Sequence, residues 1–443
     1  ALDPQGIPIV PEQELARLIA KYRAQEVVFS YSDVSNQYVM ERAALVNACG
    51  ARFVLLGARE TMLVSKVPVI AVVAVRTGAG KSQTSRKVCS YLRSLGFRVV
   101  AVRHPMPYGN LEKQVVQRYA KLEDLQKHHC TVEEMEEYEP HIAEGGVIYA
   151  GVDYSAILHR AELEADVIVW DGGNNDLAFY KPDLTITVVD PHRPGHERTY
   201  YPGAANTRLA DVLIINKVDS APEENIAAVL AELARVNPEA RIIRAASPIT
   251  VEDPDVVRGR SVLVVEDGPT LTHGEMHFGA GTLAAKQFGA REIVDPRPYA
   301  EGSIAETFRK YPSTGVLLPA LGYGVDQMLE LETTINRVPC EAVIIGTPVD
   351  LRRIFKIQKP STRVRYSLEE LGKPDLRDVL DDFVRAKLKR ARTGAKNRTD
   401  GRGRNETHSF RSPRRGSAFS TVSKNARAQT PNYTRRHKSK PVL

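Results

Sequence analysis

No apolar run in these 443 residues approaches the roughly 18 that a membrane-spanning helix needs. The start, Ala1-Leu2-Asp3-Pro4, lacks the basic head and apolar stretch of a secretory signal, so a cytoplasmic protein without a membrane partner is expected. Cysteine is scarce. Cys49, Cys89, Cys130 and Cys340 lie far apart with no C-x-x-C spacing, which argues against a disulfide framework or a zinc site. Acidic residues are nearly missing from one end only. Residues 386–443 carry a net charge of +15, which leaves −8 for residues 1–385 out of a total of +7. That tail is rich in Gly, Ser, Asn and Arg and poor in apolar residues, so a disordered segment with at most weak RNA contact is predicted. The basic total therefore says nothing of the body.

A chain of this length exceeds what one hydrophobic core usually serves. Residues 1–66 alternate helical and strand-like stretches and read as a partial Rossmann-like α/β unit, with two strands at 26–30 and 51–57. Residues 67–260 carry nearly continuous Val/Ile runs at 69–75, 97–102, 166–170, 184–189, 211–215 and 240–243, with helical stretches between them at 81–95, 111–127, 131–145, 153–164 and 222–236. Such runs suit a doubly wound, mostly parallel sheet covered on both faces. Residues 261–385 form a further α/β region ending in an amphipathic helix, either an extension of the same sheet or a cap. Residues 386–443 are the tail.

The chemistry begins after the strand Val69-Ile70-Ala71-Val72-Val73-Ala74. There Arg76-Thr77-Gly78-Ala79-Gly80-Lys81-Ser82 leads into a helix, the context a phosphate-binding loop requires. Gly78, Ala79 and Gly80 with Gln83 would wrap the phosphates, Lys81 would reach the terminal ones, and Ser82 would ligate Mg²⁺. Val75 stands where the usual pattern has its first Gly. The loop instead resembles the K-G-G-x-G-K-[ST] variant of the signal-recognition, MinD and BioD class, with Arg76 at the place of the extra lysine. That resemblance implies a homodimer in which Arg76 reaches the partner's nucleotide. Asp171 closes the apolar run Val167-Ile168-Val169-Trp170 and is the expected second holder of the metal. Asn216-Lys217-Val218-Asp219 matches the N-K-x-D guanine motif, and Ser247 follows the next strand where a last base-contacting loop is expected. GTP is favoured by this motif. ATP remains the alternative nucleotide.

Three loops at strand ends add Arg103, His104, His192, Arg193, His196 and Arg198. Clustered at that edge, they predict a second site for a strongly anionic small molecule. Arg103, His104 and Arg193 join Lys81, Asp171 and Arg76 as candidate catalytic residues. His273, in Val265-Glu266-Asp267-Gly268-Pro269-Thr270-Leu271-Thr272-His273-Gly274, is a further candidate acid or charge stabiliser.

The set V-R-T-G-A-G-K-S, V-R-H-P-M-P-Y-G, D-G-G-N-N-D, D-P-H-R-P-G-H-E, N-K-V-D and V-E-D-G-P-T-L-T-H-G resembles the predicted GTPase family that includes archaeal cyclic 2,3-diphosphoglycerate synthetase, over about residues 6–372. The resemblance implies an Mg²⁺-dependent enzyme that spends a nucleoside triphosphate to activate and cyclise, or ligate, a small phosphorylated acid. It also implies a preceding Gly-rich strand and helix, so the first unit is expected to be incomplete. A regulatory or metallochaperone-like GTPase acting on a protein partner is the other reading.

Overall fold

The computed structural model describes residues 8–104, 111–173, 176–268, 271, 277–321 and 325–388. The chain divides into two compact units. The smaller draws its described residues from Ala1–Phe29 and Ala43–Val54, the larger from Ser30–Arg42 and Leu55–Leu388. In the smaller unit, helix α1 (Leu15–Tyr22) precedes strand β1 (Glu26–Phe29), which pairs with β3 (Arg52–Leu55). Leu15, Ile19, Val27, Val46 and Ala51 form its core. Between β1 and β3 the chain makes the short strand β2 (Val34–Ser35) and helix α2 (Asn36–Ala48).

The larger unit is built on a nine-stranded sheet. In chain order its strands are β4 (Val69–Ala74), β5 (Val99–Val102), β6 (Gln117–Tyr119), β7 (Val147–Ala150), β8 (Val167–Trp170), β9 (Leu184–Val189), β11 (Val212–Ile215) and β12 (Arg241–Ala246), with β19 (Glu369–Glu370) at one edge. The strand β10 (Tyr200–Tyr201) lies outside this sheet and pairs antiparallel with β2. Across the sheet the order is β19-β12-β11-β9-β4-β8-β5-β7-β6. All pairs are parallel except the two edges, β12 with β19 and β6 with β7. Every residue of β4, β5, β8, β9 and β11 is buried, because helices cover both faces and no polar side of these strands is needed. The chain winds to opposite sides from the central strand β4. That makes its C-terminal end the topological switch point, where doubly wound sheets place ligands.

Two stretches differ from the sequence reading. The expected helix over 111–127 is broken into a short turn, β6, and helix α4 (Leu122–Lys127). The strand β7 was not anticipated, because four residues squeezed between Gly145-Gly146 and a following helix carry too short an apolar signal.

Helix α3 (Lys81–Ser94) follows the phosphate loop, and helix α5 (Val132–Ala143) crosses from this sheet to a second one. The second sheet holds β13 (Ile249–Val251), β14 (Ser261–Asp267), β15 (Glu292–Ile293), β16 (Leu318–Ala320), β17 (Ala342–Gly346) and β18 (Ser361–Tyr366). Its order is β13-β18-β17-β14-β15, with β16 also on β14, and only β13 runs antiparallel to its neighbour. The third region is thus a separate sheet rather than an extension. The chain then returns: the helix Leu376–Phe383 buries Leu376, Val379, Leu380 and Phe383 in the core of the nine-stranded sheet. Helix α5 belongs to both cores. Tyr138 and Ile142 pack with the first sheet and Val132 with the second. Among the described residues, no helix is long and apolar enough to cross a membrane.

Candidate active site

The turn after β4 can form only with glycine at position 80. Its φ is +110°, and a Cβ there would fall 2.1 Å from Asn216 Nδ2. That proximity has a purpose. Asn216 Nδ2 donates to the Ala79 carbonyl at 2.9 Å, Lys217 Nζ to the Gly78 carbonyl at 2.6 Å, and an Arg193 Nη to the Thr77 carbonyl at 2.8 Å. The base motif and the loop after β9 thereby hold three consecutive carbonyls of the phosphate loop. Asp190 in turn binds Arg193 at 2.8 Å and Lys217 at 3.1 Å. Burial acts to raise its carboxyl, but Lys217 and Arg193 reverse that and hold it well below the usual carboxylate range.

At the mouth of the loop, Lys81 Nζ donates to the Asp171 carbonyl at 2.7 Å and to Asp171 Oδ1 at 2.9 Å. Asp171 is fully buried at the end of β8, and its Oδ2 lies 3.0 Å from His141 Nε2 and 3.7 Å from an Arg103 Nη. Desolvation disfavours its charge, yet Lys81, His141 and Arg103 together keep it ionised. Burial pushes Lys81 downward and Arg103 adds to that, with Asp171 acting the other way. Beside this group stands Glu137. It meets Arg103 at 2.5 Å and accepts from the Ser82 hydroxyl at 3.2 Å through Oε2. The expected metal holder Asp171 and the loop hydroxyl Ser82 are therefore joined through Arg103 and Glu137 rather than by a contact of their own.

On the base side, Asp219 Oδ1 accepts from the Ser247 backbone N–H at 3.0 Å, and Gln83 Nε2 lies 3.3 Å from Ser247 Oγ. The candidate base-reading residues come together as one shelf.

Other expectations are redirected. Arg76 is 2% exposed, its Nε is 2.6 Å from Asp33 Oδ1, its Nη1 is 3.0 Å from His196 Nδ1, and its guanidinium stacks 3.8 Å over Tyr200. It is spent on its own chain, and the reach across a dimer that the loop resemblance implied is replaced by this intramolecular anchor. The predicted anion-binding set is likewise not gathered. Arg103 and Arg193 are bound to carboxylates, and Arg198 sits at the surface beside Glu232. His104 lies 3.4 Å from Asp176, and burial lowers its pKa. His196 falls to about 4 through burial and then through Arg76 and Arg193. His192 alone of the six lines the central cleft while bonded to an uncharged partner, Ser220 Oγ at 3.0 Å. Met106 to Gly109, Asn174, Asn175, Thr270, Thr272 and His273 lie outside the described residues.

That cleft, open to solvent, lies between the ends of the two sheets. One wall is the phosphate loop with Lys217 and Ser247. The other carries Glu136, Glu266 and Asp267, with Gly279, Gly346 and Tyr366. Glu266 is 1% exposed and accepts from the Gly281 and Thr282 backbone N–H groups at 3.1 and 2.7 Å. Burial raises its pKa to about 7 against those bonds. Glu136, bonded to the Thr347 hydroxyl, is raised by burial and by its neighbour Asp267. Where the sequence predicted cations around a second substrate, the wall is acidic.

The sequence reading missed Glu136, Glu137 and His141, all on α5. A run with Glu133, Glu134, Glu136, Glu137 and Glu139 looks like a solvated face, yet four of these are buried. The available signal was the periodicity: Glu137 and His141 are four apart and share one helix face. Asp33 gave no signal at all, lying 43 positions before Arg76.

The loop hydroxyl of Ser82 with carboxylate oxygens nearby suits Mg²⁺, a hard cation that P-loop sites bind through few protein oxygens plus phosphates and water. Among the described residues no group of three or more His, Cys, Asp or Glu could hold a metal by themselves.

Residues 164–244 match the CobW/HypB/UreG nucleotide-binding domain. The chain is similar to a protein named arginine synthetase ArcE from Thermococcus kodakarensis, 59% identical over 384 residues, which cover 87% of this chain and 86% of that one. Among solved structures it resembles an ATP complex of LpxK from Aquifex aeolicus, at 12% identity and a TM-score of 0.44, covering 84% of this chain and 99% of that one. It also resembles the hydrogenase maturation factor HypB from Archaeoglobus fulgidus, at 17% identity and a TM-score of 0.27, covering 42% and 83%.

Proposed function

The chain belongs to the family of the Thermococcus kodakarensis arginine synthetase ArcE, and from that membership we propose that it is a nucleoside-triphosphate-dependent synthetase with arginine as its product. The observation that carries this reading is the two-walled cleft. A phosphate loop with Lys81, Arg103 and Ser82 faces carboxylates Glu136, Glu266 and Asp267 across one cavity. Cations on one side suit a γ-phosphate, and carboxylates on the other suit a guanidinium. Among the described residues that wall offers no Lys or Arg to the phosphorylated acid that the sequence resemblance implied, so a cyclic diphosphoglycerate product is the weaker reading.

The simplest chemistry that spends a γ-phosphate on a guanidinium is phosphorylation of a ureido oxygen. The nucleoside diphosphate leaves as that oxygen takes the γ-phosphoryl group; ammonia then adds to the ureido carbon, the C–O bond breaks, and phosphate departs with the oxygen and one ammonia proton, leaving the guanidinium. Lys81 and Arg103, both lining the cleft, offset the charge that develops on the transferred group. Ser82 and a neighbouring carboxylate would hold Mg²⁺, which would supply Lewis-acid neutralisation of the phosphates. A cytoplasmic setting, where nucleotide is abundant, fits this use.

The test is to incubate the protein with Mg²⁺ and GTP or ATP, a ureido amino acid and ammonium, and to follow phosphate release and arginine by mass spectrometry. Arginine formation tied to nucleotide cleavage is expected. Release stimulated only by phosphorylated three-carbon acids would return the polyanion reading. The match to the CobW/HypB/UreG domain favours a second reading, a GTPase acting on a protein partner. Turnover that answers to a protein and to no small molecule would select it.

A further inference from the structure

Two carboxylates stand at the mouth of the phosphate loop, and their surroundings divide the work between them. Asp171 is fully buried, with Oδ1 taken by Lys81 and Oδ2 by His141. Each of those oxygens already faces a donor, and Arg103 adds a third positive neighbour. A metal ion brought to Asp171 would enter a shell of three cationic or donating groups. Among the described residues Glu137 pairs with a single cation, Arg103 at Oε1, and its other oxygen meets only a hydroxyl. Its Oε2 touches the Ser82 hydroxyl at 3.2 Å, the one hydroxyl that a phosphate loop lends to Mg²⁺. Its side chain is 20% exposed, and it lines the cleft together with Ser82.

We propose that Glu137, and not Asp171, is the carboxylate that holds the nucleotide's Mg²⁺ together with Ser82. Asp171 is instead a positioning residue that aims Lys81, itself oriented by His141. The placement follows from α5. A Thr131 cap with Glu134 starts the helix, and its two apolar faces fix it between both cores. Glu137 and His141, one turn apart, are thereby delivered to Ser82 and to Asp171 respectively. Arg103 bridges the two carboxylates, so the metal ligand and the lysine-positioning group are set by one guanidinium.

The inference rests on the nucleotide reading of the loop and not on the identity of the product. Its test measures binding. The affinities of the imido analogues of ATP and GTP are taken by calorimetry in excess Mg²⁺ and in EDTA, and Mn²⁺ affinity of the protein–nucleotide complex is taken by the paramagnetic resonance of free Mn²⁺. Glu137→Gln should weaken Mn²⁺ by at least about tenfold while leaving the EDTA affinity for nucleotide nearly unchanged. Glu137→Asp should recover part of the loss, which a purely structural role for the Arg103 contact would not require. Asp171→Asn should lower nucleotide affinity in EDTA as well as in Mg²⁺, because Lys81 loses its guide. Full Mn²⁺ affinity in Glu137→Gln, or its selective loss in Asp171→Asn, overturns the assignment. A wild type that binds neither analogue under any condition overturns the nucleotide reading and this assignment with it.

Discussion

Lys81 Nζ is 2.9 Å from Asp171 Oδ1, so the cation of the phosphate loop is anchored to the end of the neighbouring strand. The Asp171 side chain is 0% exposed and that of Lys81 10%, which makes the pair sensitive to the loss of either member. While Arg103 keeps Glu137, Asp171→Ala leaves Lys81 without its carboxylate partner. It is expected to lower stability by about 3–5 kcal/mol in urea unfolding. Adding Lys81→Met to that variant should recover part of the loss, and a fully additive double variant would show that the two do not interact.

Arg76 supplies the second prediction. Asp33, 6% exposed at its side chain, is its partner in the same chain. Arg76→Ala leaves that carboxylate buried beside the Thr77 N–H, so most turnover should be lost together with stability. Lys81→Ala should lose turnover as well. If Arg76 served the partner's nucleotide, a mixture of the two variants would rebuild an intact site in the mixed dimer. No recovered phosphate release is expected on mixing, whatever the oligomeric state.

These residues mark where the sequence was legible. The phosphate loop, Asp171 and Asn216 to Asp219 could be read because each is local: an apolar strand, a turn and a helix start in fixed order. The doubly wound sheet followed from the same runs. What escaped depended on distance along the chain. Asp33 meets Arg76 only because β2 pairs with β10. The acidic residues of α5 are buried only because the helix lies between two cores, which no periodicity within it declares. The Arg and His loops were visible, but not the carboxylates that neutralise them, and so a cationic site was expected where an acidic wall stands.

The base shelf gives a third prediction. Asp219 Oδ1 is held by the Ser247 N–H at 3.0 Å, which fixes the orientation of the carboxylate. Asp219→Asn replaces an acceptor of two N–H groups with an amide that pairs better with a base carrying an oxygen there. GTP use should fall by about tenfold or more, and xanthosine triphosphate should gain. Competition among GTP, ATP and xanthosine triphosphate in phosphate release measures this. An unchanged ranking, with ATP preferred throughout, would mean that the motif does not read the base.

Glu266 makes stability depend on pH in a calculable direction. Burial raises its carboxyl from 4.5 to about 7, so the folded chain keeps a proton that the unfolded chain has given up. Stability from this group is full below about 4.5 and is lost as pH rises through 7, a change of roughly 3 kcal/mol. Glu136 pushes the same way. Gly279 and Gly346 crowd the Glu266 carboxylate so closely that a Cβ would come within 2.4 and 2.6 Å of its oxygen, which leaves no room for a water shell to ease the charge. Glu266→Gln cannot titrate. Urea unfolding at pH 5 and pH 8 should therefore show a smaller decline for the variant than for the wild type. Parallel declines would place the Glu266 carboxyl back in the ordinary carboxylate range.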